Sequence, residues 1–143
     1  MNARAKVGAA IMAACIAFLA TGCSSATDTV DQALRESSSA VASARLALEL
    51  YTSDTATLSL TDTALSDALT ELDGAQSDVS EVEATGASES RDRRRALDGI
   101  RSGVDAVSTA REELSAGSAS GIGDAVDALE AAQTQLDAAG AAR

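Results

Sequence analysis

Carboxylates are the residues of this chain that could do acid–base chemistry, because it has 22 Asp and Glu and no His. Two groups of them are Asp78, Glu81 and Glu83 near the end of the second predicted helix, and Asp124, Asp127 and Glu130 in the fourth. Two carboxylates act as general acid and base only in a pocket that separates their pKa values. Few large apolar side chains are present to build such a pocket, so solvated helix faces are the preferred interpretation. Weak binding of metal cations or small cationic ligands by these surface carboxylates is the alternative function.

The other residue types that common enzyme chemistry needs are missing. A hydrolytic triad needs a base, which is usually His, and a zinc site needs Cys or His ligands. The sequence has no His, two Cys, no glycine-rich phosphate loop and no EF-hand pattern. It therefore predicts a protein that is not an enzyme, with no cofactor and no metal site.

The first residues have the layout of a secretory signal peptide. Arg4 and Lys6 precede an uncharged run over Val7–Ala20, and small residues follow that run. The run is shorter than the roughly 20 apolar residues that a membrane-spanning helix needs. We therefore expect this segment to export the chain and then to be removed.

The residues Leu19-Ala20-Thr21-Gly22-Cys23 resemble the lipobox of bacterial lipoproteins, in which small residues precede a cysteine. The resemblance implies transfer of diacylglycerol to the Cys23 thiol and cleavage between Gly22 and Cys23. Ala20 stands where the family usually has leucine. Cleavage leaves Cys23 as the only cysteine of the mature chain, so an internal disulfide is excluded. We expect a chain that is anchored to the cell membrane through lipid on Cys23, on the extracytoplasmic face.

The chain that follows the signal is strongly acidic. Residues 23–143 carry nine arginines and all 22 acidic residues, a net charge of −13. This charge argues against nucleic acid as a partner, because phosphates would be repelled over most of the surface. The preference for Ala, Asp and Arg over Lys is similar to that of proteins from high-GC, actinobacterial genomes. Beyond Cys23 the chain resembles only the general type of small helical lipoproteins, and that resemblance implies no activity.

Apolar and small residues recur at spacings of three and four along the rest of the chain, which is typical of amphipathic helices. The four stripes are Val30, Leu34, Ser37, Val41, Ala44, Leu48 and Tyr51; Leu58, Thr61, Leu65, Ala68, Leu72, Ala75, Val79 and Val82; Leu97, Ile100, Val104, Val107, Arg111 and Leu114; and Ile122, Val126, Leu129, Gln133 and Leu136. They predict helices over about 28–51, 60–84, 89–116 and 121–139, in a bundle over 30–140 that follows a signal peptide (1–22) and a lipidated tether (23–29). Short links favour antiparallel neighbours, so the predicted fold is all-α, an antiparallel up-down four-helix bundle. A helical hairpin that oligomerises is the alternative.

The third segment has a second stripe of small residues, one position before the large one. Its members are Ala96, Gly99, Gly103, Ala106 and Ala110. Small residues at this spacing let another helix approach closely. We predict that this stripe packs inside the bundle, and a groove for a partner is the alternative.

Four arginines, Arg91, Arg93, Arg94 and Arg95, form a basic cluster at the start of the third predicted helix. Cations are unfavourable at a helix N-terminus, so nearby groups should offset them. The preferred interpretation is pairing with carboxylates at the end of the second helix and just after it: Asp78, Glu81, Glu83 and Glu89. In an up-down bundle the cluster also lies at the end next to Cys23. Contact with anionic lipid or an anionic envelope polymer is therefore the alternative.

Together these features predict a membrane-anchored structural or protein-interaction module of the cell envelope. The expected partners are the membrane, through the lipid on Cys23, and an envelope protein or the cell wall. We expect the acidic surface of the bundle to face that second partner.

Overall fold

The computed structural model describes residues 25–142, which form four helices. These are α1 (Ala26–Thr52), α2 (Leu58–Glu81), α3 (Ala87–Ala116) and α4 (Ala119–Ala141). The predicted all-α four-helix bundle is confirmed, because the helices pack against one another and residues 25–142 contain no strand. α2 ends earlier than predicted, at Glu81, and the other helix ends lie within two residues of the prediction. Gly22 and Cys23 lie outside the described residues.

Contacts between α1 and α4 show that these neighbours run antiparallel. Ser38 Oγ donates to the Asp137 carboxylate at 3.0 Å. Seven residues further along α1, Arg45 pairs at 3.9 Å with Glu130, which lies seven residues earlier in α4. α1 and α3 each pack against both α2 and α4, and they also meet each other across the bundle. α2 and α4 therefore occupy opposite corners and stay apart.

Polar caps set the starts of three helices. The Ser25 hydroxyl and the Asp28 carboxylate form a capping box at the start of α1. The hydroxyls of Thr57 and Ser118 each accept a hydrogen bond from the backbone N–H three residues on, at 3.3 and 3.1 Å. Such caps satisfy donors that have no partner inside the helix. At the end of α3, Gly117 has φ 66°, a left-handed conformation that favours glycine.

Alanine makes up almost half of the buried core. Eleven of the 24 buried apolar residues in the described part of the chain are Ala. The largest side chains that are fully buried are Leu48, Leu65, Leu72, Ile100, Leu114, Leu129 and Leu136. Each alanine lets two helices approach closely but removes little apolar area from water. The stability of the bundle therefore depends on a small number of leucine and isoleucine side chains.

The small-residue stripe of α3 lies in the centre of the bundle, where all five of its members are buried. A Cβ atom built on Gly103 would lie 3.2 Å from both Leu72 Cδ2 and Val41 Cγ2. A Cβ atom on Gly99 would lie 3.3 Å from Leu136 Cδ2. The prediction that this stripe packs inside the bundle is confirmed, and the alternative of a partner groove on it is wrong.

The predicted apolar stripes of α3 and α4 are only partly buried at alternate positions, where Leu97, Val104 and Val126 still pack against the core. Leu97, Val104 and Arg111 lie at the edges of α3, and Val126 and Gln133 lie at the edges of α4, all partly exposed. The buried face of α4 instead consists of Ile122, Ala125, Leu129, Ala132, Leu136 and Ala139. Alanine and glycine allow a closer helix approach than valine or glutamine, so each helix turns its small residues inward.

The start of α2 departs from the prediction as well. Leu58 belongs to the predicted stripe of that helix but is 52% exposed. It is the first residue of α2, so it lies at the end of the bundle, where fewer neighbouring side chains cover it.

Candidate functional site

Arg93 of the arginine cluster lies beside the first residues of α1. Ala26 and Thr27 line a small cavity together with Val82, which follows α2, and with Asp92 and Arg93 of α3. We call this end of the bundle, where α1 and α3 begin and α2 and α4 end, the proximal end. The structure therefore brings the predicted cluster to the part of the bundle that is next in sequence to Cys23.

A hydrogen bond from Arg93 links the start of α3 to the end of α2. Its Nη1 donates to the carbonyl oxygen of Val82 at 2.9 Å, and the side chain is partly buried. Val82 is the C-cap residue that follows Glu81, the last residue of α2, and the carbonyls at the end of a helix carry partial negative charge. The Arg93 guanidinium thus lies where the dipole of α2 favours a cation, which offsets its unfavourable position near the start of α3.

The predicted pairing of the arginine cluster with the acidic residues around the end of α2 is wrong. Arg95 pairs with Asp92 in its own helix at 3.4 Å and donates to the Ala142 carbonyl at 3.3 Å. Arg91 and Arg94 are exposed and make no ion pair with any of residues 25–142. Two cations of the cluster are therefore available to a partner.

Glu89, the remaining predicted partner of the cluster, has a local role instead. Its carboxylate accepts hydrogen bonds from the Thr85 hydroxyl and from the Thr85 backbone N–H, both at 2.8 Å. These bonds hold the pKa of Glu89 below its ordinary value, with the hydroxyl as the largest cause. The carboxylate orders the link into α3, and its negative charge stabilises the positive end of the dipole of that helix.

Charge is distributed unevenly among the helices. α2 and α4 contain six and four acidic residues and no basic residue, whereas α3 contains six of each sign. The two acidic helices lie at opposite corners, each between helices that carry arginine. Arg111 of α3 pairs with Asp62 of α2 at 2.7 Å, and Arg45 of α1 pairs with Glu130 of α4 at 3.9 Å. This arrangement keeps the acidic helices apart and places most of the basic charge on α3.

The Asp62–Arg111 pair is the best-aligned ion pair between two helices in the described residues. Arg111 Nε donates to one carboxylate oxygen at 2.7 Å, and Nη2 donates to the other at 3.4 Å. These hydrogen bonds lower the pKa of Asp62 from its ordinary value. Both side chains are about two-fifths exposed, so water screens the pair and its contribution to stability is small.

Residues 25–142 contain neither a metal-binding group nor a membrane-spanning helix. No three of their Asp, Glu, His or Cys side chains converge closely enough to hold a metal ion. None of the four helices is long and apolar enough to cross a membrane. The small cavity lined by Ala26, Thr27, Val82, Asp92 and Arg93 has a volume of about 30 Å³ that water can occupy, room for about one or two water molecules.

Four exposed leucines were not anticipated from the sequence as surface features. Leu46, Leu50, Leu58 and Leu60 are between 38% and 62% exposed. All lie near the link from α1 to α2, at the end of the bundle opposite the proximal end, which we call the distal end. A sequence signal exists for two of them, because Leu46 and Leu50 follow Ser39 and Ser43 at helical spacing outside the main stripe of α1.

A scan against protein-family models finds no matching family, and searches of curated proteins and of solved structures return no match. Function is therefore inferred from the residues and from their geometry.

Proposed function

We propose that this chain is a membrane-anchored lipoprotein on the extracytoplasmic face, and that its bundle is a structural or protein-interaction module of the cell envelope. The observation that supports this most is the position of Arg93, and with it the start of α3, beside Ala26 and Thr27. Cys23 precedes Ser25 by two residues, a span of at most about 7 Å. A lipid on Cys23 would hold the cluster within reach of the headgroups.

The charge distribution suits this orientation. Arg91 and Arg94 are exposed at the proximal end, where anionic headgroups attract cations. The acidic helices α2 and α4 would be repelled by the same surface. Because α1 has 27 residues, the distal end would stand about 40 Å from the membrane. The bundle would thus present its acidic sides and its distal leucines to other molecules of the envelope.

Metabolic labelling with an alkyne fatty acid tests the anchor. The full chain is expressed in a bacterial host, and the label on the purified protein is measured by coupling to a fluorophore. We expect label on the wild-type protein, none on Cys23→Ser, and full label on Cys15→Ser, the matched control whose cysteine lies in the predicted signal. An unlabelled wild type, or equal labelling of Cys23→Ser, would refute the anchor.

Vesicle binding tests the role of the free arginines. Residues 24–143 are mixed with vesicles that contain anionic lipid at low salt, after circular dichroism has checked that each variant is helical. Each cation near such a surface contributes enough that Arg91→Ser with Arg94→Ser should weaken binding about 30-fold. Arg35→Ser with Arg101→Ser removes the same charge elsewhere and serves as the control. Equal weakening by the two double variants would show that net charge alone matters.

A further inference from the structure

The outer groove between α1 and α2 has an acidic half and an apolar half. Glu36 and Ser39 of α1 line its proximal half with Glu71, Gly74 and Asp78 of α2. The carboxylates of this half come from both helices, and α2 contributes no basic residue anywhere along its length. A ligand in this half would therefore need positive charge.

Helix periodicity extends the same groove to the distal leucines. Leu46 and Leu50 follow Ser39 by seven and eleven residues, so they lie on the same edge of α1. Leu60 precedes Glu71 by eleven residues and so lies on the matching edge of α2. These leucines are 55%, 38% and 62% exposed. We call the whole surface, from Glu36 and Asp78 to these three leucines, the α1–α2 groove.

Carboxylates predominate along the edges of the groove. Asp67 lies between Leu60 and Glu71 on the same edge of α2 and is exposed. Arg35 precedes Leu46 by eleven residues and so lies near this edge, but it lines the α1–α4 side with Ser38 and Asp137. Arg45 also turns to the α4 side and pairs with Glu130. An approaching chain thus meets leucines at one end and carboxylates along the remainder.

We propose that the α1–α2 groove binds a basic amphipathic helix of another envelope protein. This inference rests on the proposed function of the bundle as an interaction module and names its surface and partner class. A third helix fits between two antiparallel helices by placing its apolar stripe in their groove. Its leucine-type side chains would cover Leu46, Leu50 and Leu60, and its Lys or Arg side chains would face Glu36, Asp67 and Glu71.

Charge complementarity selects this occupant over a second copy of the chain. A second copy would bring its own acidic groove edge against Glu36 and Glu71, and like charges across an interface disfavour association. From residue 36 to residue 50, α1 rises about 21 Å. A helix of about 14 residues would therefore span the groove.

A designed peptide serves as the probe. It has 18 residues, with leucines at helical spacing and lysines at the other positions, and a second peptide of identical composition has its leucines scrambled. Binding is measured by fluorescence anisotropy to the protein as its host processes it, in phosphatidylcholine nanodiscs if it carries lipid and in buffer if it does not. Empty nanodiscs are subtracted. The readout does not require lipid on Cys23, so failure of the anchor and failure of docking are separate results.

Two neighbouring leucines give a matched comparison. Leu60 and Leu58 are similarly exposed, at 62% and 52%, but lie on different sides of α2, since Leu58 lines the groove between α2 and α3. We expect Leu60→Ser to weaken binding of the amphipathic peptide about tenfold and Leu58→Ser to leave it within about twofold. Equal effects, or equal binding of the scrambled peptide, would overturn the proposal.

A charge-matched comparison tests the acidic half. Asp67→Asn with Glu71→Gln should weaken binding more than Asp124→Asn with Asp127→Asn, which removes two exposed charges from α4.

Sedimentation velocity of the protein without peptide gives a further check. Self-association that Leu60→Ser abolishes would mean that a second copy covers the groove, and this would overturn the proposal, as would a peptide that does not bind.

Discussion

The same substitution at two helical glycines measures how closely α3 packs against its neighbours. Gly74 of α2 is exposed, and a Cβ atom added there meets nothing within 4 Å. Gly103 of α3 is buried, and a Cβ atom added there lies 3.2 Å from Leu72 and from Val41. Because both positions are helical, Gly→Ala should add about 1 kcal/mol of helix propensity to the free energy of unfolding at each.

Packing separates the two variants. The ordinary distance between carbon atoms in contact is about 3.5 to 4.0 Å, so Gly103→Ala forces Leu72 and Val41 to shift. Both neighbours are fully buried, and Val41 is β-branched and stiff. Overpacking of this kind costs about 1 to 3 kcal/mol. We expect Gly74→Ala to be about 1 kcal/mol more stable than wild type, and Gly103→Ala to be less stable than Gly74→Ala by about 1 to 3 kcal/mol.

Thermal unfolding followed by circular dichroism at 222 nm provides the assay. For a domain of this size, 1 kcal/mol corresponds to a change in Tm of about 3 to 5 °C. Gly74→Ala should therefore raise Tm by about 3 to 5 °C, while Gly103→Ala should leave it near or below the wild-type value. An equal rise in Tm for both variants would refute the close approach of α1, α2 and α3 at Gly103.

Two further predictions concern pH and helix capping. Hydrogen bonds hold the pKa values of Asp28, Asp62 and Glu89 below their ordinary values of 3.8, 3.8 and 4.5. The unfolded state therefore binds more protons than the folded state as pH falls. The stabilisation from these hydrogen bonds is complete above the ordinary pKa values and is lost as pH falls below them. The variant with Asp28→Asn, Asp62→Asn and Glu89→Gln should therefore differ less in Tm from wild type at pH 3 than at pH 7. A Tm difference independent of pH would contradict an origin of the stabilisation in these ionised carboxylates. Thr57 caps α2 through its hydroxyl, so Thr57→Ala should lower the free energy of unfolding by about 1 kcal/mol. Ser59→Ala, two residues later, should change the free energy of unfolding by less than about 0.5 kcal/mol. Chemical denaturation of both variants checks this, and equal losses would place the cap elsewhere.

The four helices could be predicted from spacing because each helix buries one continuous face. Leu34, Val41 and Leu48 mark that face of α1 by size alone, so the pattern and the structure agree. In α3 and α4 size is misleading, since Val104 and Val126 are larger than the buried Gly103 and Ala125 beside them. A pattern of large residues does not reveal which small residues a close helix approach will bury.

The candidate site could be predicted in position but not in its contacts. An up-down topology was enough to bring the arginine cluster to the end where α1 begins. The contacts of the side chains at this end depend on details that sequence spacing does not give. Arg93 reaches the Val82 carbonyl rather than a carboxylate, and Glu89 accepts hydrogen bonds from Thr85 rather than pairing with an arginine. The groove that contains Leu50 and Leu60 depends on which residues of α1 lie opposite which residues of α2. The spacing of apolar residues within one helix does not give this register.

Intact mass measurement of the protein extracted from membranes tests the proposed lipoprotein most directly. If Cys23 is lipidated and the chain is cleaved after Gly22, the mass should equal residues 23–143 plus a diacylglyceryl group, with any further acyl chain also on Cys23, and fragmentation should place this addition on that residue. A mature chain that begins elsewhere, or a free Cys23 thiol, would contradict the proposed anchor.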